Sequence, residues 1–331
     1  LDPSTPRLRR GDTGELVQSL HVLLVNAGHP LDPRGDCFDE RTEAAVREFQ
    51  ASRGLQADGV CGAQTWGALH EARYRLGDRL LYLQRPMLRG DDVADLQRRL
   101  GALGFDPGRV DGIFGPDSAA ALTEFQRNTG LTADGIAGPD SITALRRLGG
   151  RDAGTTISSV RERETLLQRP RTLNDAAIVV GEFGGADAAV SMISRRLRAH
   201  GARVDALHHP DVHYHARTAN GLRADLYLGL SLLDTAGCTL AYFATEGFES
   251  PGGRQFACLL ARHLEPLTSQ AVHHPAPPEI TGMRLPVLRE TRMPAVLLRL
   301  GPPQLVTERA EELADAIAGA AAAWSREPVS T

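Results

Sequence analysis

Lysine is missing from this chain: all 37 basic residues are arginine. That excludes a Schiff-base lysine, a P-loop lysine and a lysine general base, and with them several enzyme classes. Long apolar runs are missing too. Nothing approaches the roughly 18 consecutive apolar residues of a membrane span, the nearest stretch being the alanine-rich Ala316 to Trp324. Nor is there a basic excess, because 41 acidic residues leave a net charge of -4, so no run of phosphates would be neutralised and nucleic acid is excluded as a partner. Cysteine is scarce. Cys37, Cys61, Cys238 and Cys258 are too few for a disulfide scaffold and too far apart for a CxxC metal knuckle. They read as reduced core thiols, with a Cys37–Cys61 bridge as the alternative. No GxSxG elbow, GxGxxG fingerprint or Cys-His pair is found. The chain opens LDPSTPRLRRGD with no apolar signal segment, which predicts a cytoplasmic address.

What is present is length enough for two or three domains, 331 residues of which 42% are hydrophobic, and an internal repeat. Sliding the chain by 76 residues lays Leu20 on Leu96, Phe49-Gln50 on Phe125-Gln126, Asp58-Gly59 on Asp134-Gly135 and Leu69 on Leu145. Such self-similarity marks one structural unit used twice. In the second copy Val93, Leu96, Leu100 and Leu103 recur at helical spacing until Gly104 stops them. Asp-Gly then makes a tight turn, Pro116-Asp117 opens a second helix with Ala121, Leu122 and Phe125 inward, and a further turn precedes a short helix through Ile142 and Leu145.

The order RGD, LQxxLxxLG, DGIFGP, FQ, GLxxDGxxGPxT resembles the three-helix peptidoglycan-binding domain, which implies recognition of a cell-wall glycan or stem peptide in a shallow groove. The copies span residues 7–75 and 86–148. Arg10, Asp12, Arg89, Asp91, Asp111 and the Phe-Gln pairs are expected to cap helices and fill the core, with Gln50 and Gln126 left as solvent-facing or ligand-facing.

Residues 149–174, rich in Gly, Arg and Thr, read as a linker with a short helical pattern around Val160 to Leu167. From 175 to 326, apolar strands alternate with helices: Ala177–Val180, Val204–Leu207, Asp225–Leu233, Leu240–Ala244 and Ala295–Leu300 are strands. Helices are expected at Ala188–Leu197, through His215 and Ala219, at Phe256–Leu264 and at Glu308–Trp324. Together they predict an α/β domain with a mostly parallel sheet flanked by helices, whose ligands sit beyond the strand carboxyl ends. The expected fold class is thus multidomain, two small three-helix all-α domains followed by this α/β domain.

The strand exit VGEFGG, the RTAN of Arg217–Asn220 followed by ADLYLGLS, and LPVLRETRMPAVLLRLG resemble the amidase-3 type of zinc N-acetylmuramoyl-L-alanine amidase. Those enzymes need two imidazoles and a carboxylate on zinc, and a second carboxylate as base. Laid on this chain, the family's positions are emptied: the first His falls on Phe183, the Glu ligand at or beside Ala186 with Asp187 the nearest carboxylate, the second His on Ser231, and the base Glu on Arg299. The resemblance therefore implies no metal, no cofactor and no catalytic residue. Histidines His208, His209, His213 and His215 read as surface or loop residues rather than a relocated site, because Pro210 prevents a helix from starting early enough to join His209 to His213. Glu182, Arg217 and Arg299 are the binding candidates, with Arg299 either paired with Glu182 or meeting an anionic partner group.

Two such repeats ahead of a metal-stripped amidase domain resemble the actinobacterial CwlM-type proteins. That family implies regulation of peptidoglycan precursor synthesis by a protein that binds peptidoglycan fragments or precursors. The implied partners are a Ser/Thr kinase, the enolpyruvyl transferase acting on UDP-N-acetylglucosamine, the lipid-linked precursor flippase, which would give membrane association through a partner, and a forkhead-associated adaptor. Thr155, Thr156 and Thr331 are positionally suited to phosphorylation. The rival expectation is a working zinc amidase that cuts between muramic acid and the stem peptide, and a third is a wall-anchored binding module.

Overall fold

A computed structural model of the chain describes residues 6–148, 157–168, 172–174, 176–269 and 277–327. Thr155, Thr156, Thr331, His273 and His274 lie outside the described residues, as do 149–156 of the expected linker. The chain divides into two units, residues 1–160 and 161–331.

In the first unit each 76-residue repeat folds into three helices. The first copy has α1 (Glu15–Asn26), α2 (Glu40–Ser52) and α3 (Ala63–Glu71); the second has α4 (Asp91–Ala102), α5 (Pro116–Asn128) and α6 (Pro139–Leu148). The apolar spacing read in the sequence becomes two separate cores. Val17, Leu20, Leu24, Phe38, Val46, Phe49, Trp66 and Leu69 close the first, and Val93, Leu96, Leu100, Phe114, Leu122, Phe125 and Leu145 the second. Each fully buried Leu or Phe contributes about 1.5–3 kcal/mol relative to exposure. Short bridges repeat as well: Thr13 pairs Cys37 as Arg89 pairs Ile113, positions 76 apart.

The turns between helices are held by buried amides. Gln50 accepts from the Gly59 N–H at 2.9 Å, and its Nε2 lies 2.9 to 3.0 Å from Asp58 Oδ1, the Val60 carbonyl and Thr65 Oγ1. Gln126 repeats this with Gly135, Asp134, Ile136 and Ser141. Gln97 does the same for the other turn, through Gly112, Asp111, Ile113 and Ser118. The glycines are required, because Gly59, Gly112 and Gly135 sit at φ of 76°, 70° and 70°. In the first copy the position of Gln97 is occupied by His21, whose ring bridges the Asp32 carbonyl and the Thr42 hydroxyl. Both Gln50 and Gln126 are buried, so neither faces solvent or ligand, which corrects that expectation. The backbone N–H of Thr42 caps α2 on Asp39 and holds that carboxyl below its usual range. The one deeply buried carboxylate of the second copy, Asp92, is compensated by Arg79 at 2.7 Å, whose guanidinium lies over Tyr74.

Helix α7 (Ile157–Gln168) spans the boundary and leads into the second unit. This is a correction to the linker expectation: Leu166 packs in the α/β core, and Glu162 accepts from the Ser250 hydroxyl at 2.6 Å and the Gly252 N–H at 3.2 Å. There follow β1 (Ala177–Glu182), α8 (Asp187–Ala199), β2 (Arg203–His208), α9 (Val212–Gly221), β3 (Leu226–Leu232), β4 (Gly237–Thr245), β5 (Phe248–Glu249), α10 (Pro251–Ser269), β6 (Glu279–Met283), α11 (Pro286–Glu290), β7 (Ala295–Gly301), α12 (Pro303–Glu308) and α13 (Ala310–Arg326). The sheet runs β2-β1-β3-β7-β4-β5, with β6 beside β4. Pairs β2/β1, β1/β3, β3/β7 and β4/β6 are parallel, and β4 runs antiparallel to β7. Strands β1, β3 and β7 read as continuous apolar runs because both their faces are covered. Strand β2, at the edge, alternates instead. The short elements β5, β6, α11 and α12 were not foreseen. The 233–236 connection passes so close over the end of β7 that a Cβ on Gly301 would lie 2.3 Å from the Leu233 carbonyl oxygen. All four cysteines are free thiols, and Cys37 and Cys258 are exposed, not core residues.

Replacing Gln126 by Ala leaves the buried Gly135 N–H without its acceptor, a cost of about 1–3 kcal/mol, while the Ile136 carbonyl keeps the Gly138 N–H. Hydrogen exchange measured on the full chain should show the 130–148 segment losing protection while the 54–71 segment is unchanged.

Candidate functional site

Side chains of a strand alternate between the two faces of its sheet, and this decides which residues meet at the carboxyl ends of β1, β3 and β7. Ile178, Val180, Leu226, Leu228, Leu230, Val296, Leu298 and Leu300 all join the large core under α8, α10 and α13. The intervening positions therefore face the other side, toward α9 and α11: Gly181 and Phe183 on β1 and its exit, Tyr227, Gly229 and Ser231 on β3, Leu297 and Arg299 on β7. The order β2-β1-β3 makes the chain cross from one face to the other between β1 and β3, where open α/β sheets carry their ligands.

On the α9 side that crevice is filled by rings. Phe183 stacks on His215 with centroids 4.6 Å apart, and His215 meets Tyr227 edge-on at 6.2 Å. His215 is fully buried on α9. Its Nε2 lies 2.8 Å from the His209 carbonyl, which can only accept, so Nε2 carries the proton and Nδ1 accepts from the Tyr227 hydroxyl at 2.9 Å. Burial lowers the pKa of His215 and raises that of Tyr227, so the pair is neutral. The ring fits because residue 181 is glycine: a Cβ there would sit 2.3 Å from His215 Nδ1 and 2.8 Å from the Tyr227 hydroxyl. Helix α9 begins at Val212 and is capped by Asp211, as Pro210 requires, so His213 turns away to Glu290 at 2.9 Å. His215 is thus a core residue, which corrects its expected place on the surface.

On the α8 side a different group collects. Glu182 and His208 are partners in the parallel β1/β2 register, so their side chains project from the same face. His208 Nδ1 lies 3.3 Å from Glu182 Oε1 and 3.1 Å from Asp187 Oδ1. Glu182 is 3% exposed, and its other oxygen accepts from the Gly184 N–H at 2.6 Å and the Ala186 N–H at 3.3 Å. Asp187 opens α8.

The structure therefore places the expected residues as follows. Phe183, Ser231 and Arg299 share the α9 side of the pole, while Ala186 is buried at the N-cap of α8. None of these four offers an imidazole or a carboxylate, and the ring of Phe183 already has a stacking partner, so this set does not fit a zinc ion. The proposed pairing of Glu182 with Arg299 is corrected: they lie on opposite faces with β3 between them, and Glu182 is held by Gly184, Ala186 and His208. Arg217 is exposed on α9, 3.6 Å from Asp211. The grouping of Asp187 and His208 with Glu182 was missed because the second strand was ended at Leu207, one residue short. The register of β1 with β2 is the signal that finds it. In the helical unit Arg10 meets Glu40, Asp12 accepts from the Arg9 N–H, Asp91 pairs with Arg53, and Asp111 accepts from Gln97 and Ile113, while Arg89 bridges Ile113.

Residues 13–69 and 89–145 match the family described as "Putative peptidoglycan binding domain". Two such domains stand ahead of an α/β domain with a mostly parallel sheet flanked by helices. Over 339 aligned residues the chain is 34% identical to N-acetylmuramoyl-L-alanine amidase CwlM of Mycobacterium tuberculosis, covering 89% of this chain and 81% of that protein. The chain belongs to the CwlM family. It is also 31% identical over 148 residues to N-acetylmuramoyl-L-alanine amidase CwlL of Bacillus licheniformis, covering 38% of this chain and 41% of the relative. Among solved structures, the N-acetylmuramyl-L-alanine amidase Ami1 of Mycobacterium smegmatis aligns with a TM-score of 0.36 at 16% identity, over 46% of this chain and 97% of that one.

Because the folded-state pKa of His215 is depressed below its unfolded value, near 6.5, the neutral buried ring favours the fold fully above that value. That contribution is lost as the pH falls from about 6.5 through the lower folded value. In a Trp66→Phe background, Trp324 fluorescence should report a urea midpoint for the second unit that drops on acidification, and His215→Gln should flatten that slope.

Proposed function

We propose that this chain is a non-catalytic member of its family, a protein that binds peptidoglycan fragments or precursors through its helical repeats and docks protein partners through its α/β domain. Its task is then to regulate peptidoglycan precursor synthesis from the cytoplasm by activating the enolpyruvyl transferase that acts on UDP-N-acetylglucosamine. A Ser/Thr kinase sets its state, and the lipid-linked precursor flippase and a forkhead-associated adaptor are further partners. One observation carries the reading: at the pole where amidase chemistry needs imidazoles and a basic carboxylate stand Phe183, Ala186, Ser231 and Arg299. A benzyl ring and a methyl group have no lone pair to give a metal, and a guanidinium stays protonated and cannot take a proton from water. The packing of Phe183 on His215 supports it further, since the first strand exit then presents a stacked ring and no donor atom. A regulator of this kind works through a difference in affinity between two states, which phosphorylation supplies by adding charge.

The relatives named as N-acetylmuramoyl-L-alanine amidases favour the rival reading, hydrolysis of the bond between muramic acid and the stem peptide. The two are separated by one pair of assays. The proposal expects the kinase-treated full chain to raise the transferase rate severalfold and to leave muropeptides intact. Release of stem peptide, with no change in transferase rate, would overturn it.

A further inference from the structure

We infer that Glu182, Asp187 and His208 form a divalent-cation site on the α8 side of the β1 exit, next to Ala186 and across the sheet from Phe183, Ser231 and Arg299. Such an ion would have a structural role, tying the exit of β1, the first turn of α8 and the end of β2 together. The inference goes beyond the proposed function and does not depend on it.

Three features of the geometry lead there. The first is spacing. Among the described residues these three supply donor atoms that all lie within 4.8 Å of one another. Ligands on a tetrahedral ion with bonds of about 2.0–2.1 Å are separated by about 3.3 Å. The two contacts of His208 Nδ1, 3.1 Å to Asp187 and 3.3 Å to Glu182, match that edge. The second is donor chemistry. A neutral imidazole carries at most one hydrogen on Nδ1, and two carboxylate oxygens converge on it. A cation takes the nitrogen lone pair and both carboxylates at once and offsets the charge of the buried Glu182. The third is orientation. Two backbone N–H groups fix one oxygen of Glu182, so the other is aimed at His208, the arrangement by which outer hydrogen bonds hold a ligating carboxylate.

One imidazole and two carboxylates suit a borderline ion such as Zn²⁺ better than Mg²⁺, which takes oxygen donors and demands octahedral geometry. Access is open, because the side chains of Asp187 and His208 are 68% and 38% exposed. Water completes the coordination from that side. The ligands come from β1, β2 and α8, so binding opposes separation of the edge strand β2 from β1.

Calorimetric titration of the metal-stripped full chain with ZnCl₂, and separately with MgCl₂, tests this. The expected result is one saturable Zn²⁺ per chain, a rise in melting temperature with Zn²⁺ and no comparable response to Mg²⁺. Asp187→Asn and His208→Ala, both at exposed positions, should each weaken Zn²⁺ binding by about tenfold or more and abolish the thermal shift. No saturable Zn²⁺, or one Zn²⁺ bound equally well by both variants, overturns the site. Running muropeptide with the zinc-loaded protein keeps the two conclusions apart. Cleavage contradicts the non-catalytic reading and leaves the cation site standing, whereas intact muropeptide without zinc binding removes the cation site alone.

Discussion

The burial of one imidazole under one glycine organises the pole of the α/β domain. His215 reaches Tyr227 and the His209 carbonyl only because residue 181 has no side chain. Once that ring is in place, Phe183 stacks on it, and the side of the sheet where Ser231 and Arg299 also emerge becomes a packed surface. Strand alternation then sends Glu182 to the other face, where it closes the first turn of α8 and meets His208 and Asp187. Two neighbouring residues at one strand exit thus face two different environments, an aromatic stack and a polar group of ligand type. The difference follows from the pleat of β1 and the register of its neighbours.

The helical unit rests on an analogous economy. A buried glutamine in each of three turns supplies both a donor and an acceptor to a loop whose glycine has positive φ, so the glycine N–H and one loop carbonyl are paired inside the protein. The first repeat shows that the device tolerates substitution. His21 stands where Gln97 stands in the second copy, and Thr42 where Ser118 does, and the ring spans the same gap between helix and turn. What the repeats share is the satisfied turn; their exposed surfaces differ, as exposed Leu16 and Val22 on the first copy and Met87 and Ile136 on the second illustrate.

Much of this is legible in the sequence. The 76-residue repeat, the helix start at Pro116, a helix through His215 that begins only after Pro210, and the apolar strands at Ala177, Asp225 and Ala295 come from local rules of spacing, capping and proline placement, which act over a few residues. Family resemblance singles out Phe183, Ser231 and Arg299, and the pleat brings them to one face. What was not legible depends on pairing between distant segments. The burial of His215 needs Gly181 beneath it, 34 residues earlier in the chain. The grouping of Glu182 with His208 needs the β1/β2 register, and the docking of α7 needs Ser250 and Gly252 at the start of α10. The glutamines were misjudged because polarity suggested exposure, whereas an amide that meets both a donor and an acceptor is at home in a core.

The central claim is that the α9 side of the pole is a packed aromatic core and not a metal pocket. Nitrogen-15 chemical shifts of the His215 ring test it most directly. The account predicts a neutral ring protonated at Nε2, persisting below the ordinary titration range of histidine and unmoved by added zinc. A ring that titrates as a solvent-exposed imidazole, or whose Nδ1 resonance shifts on zinc addition, would contradict it.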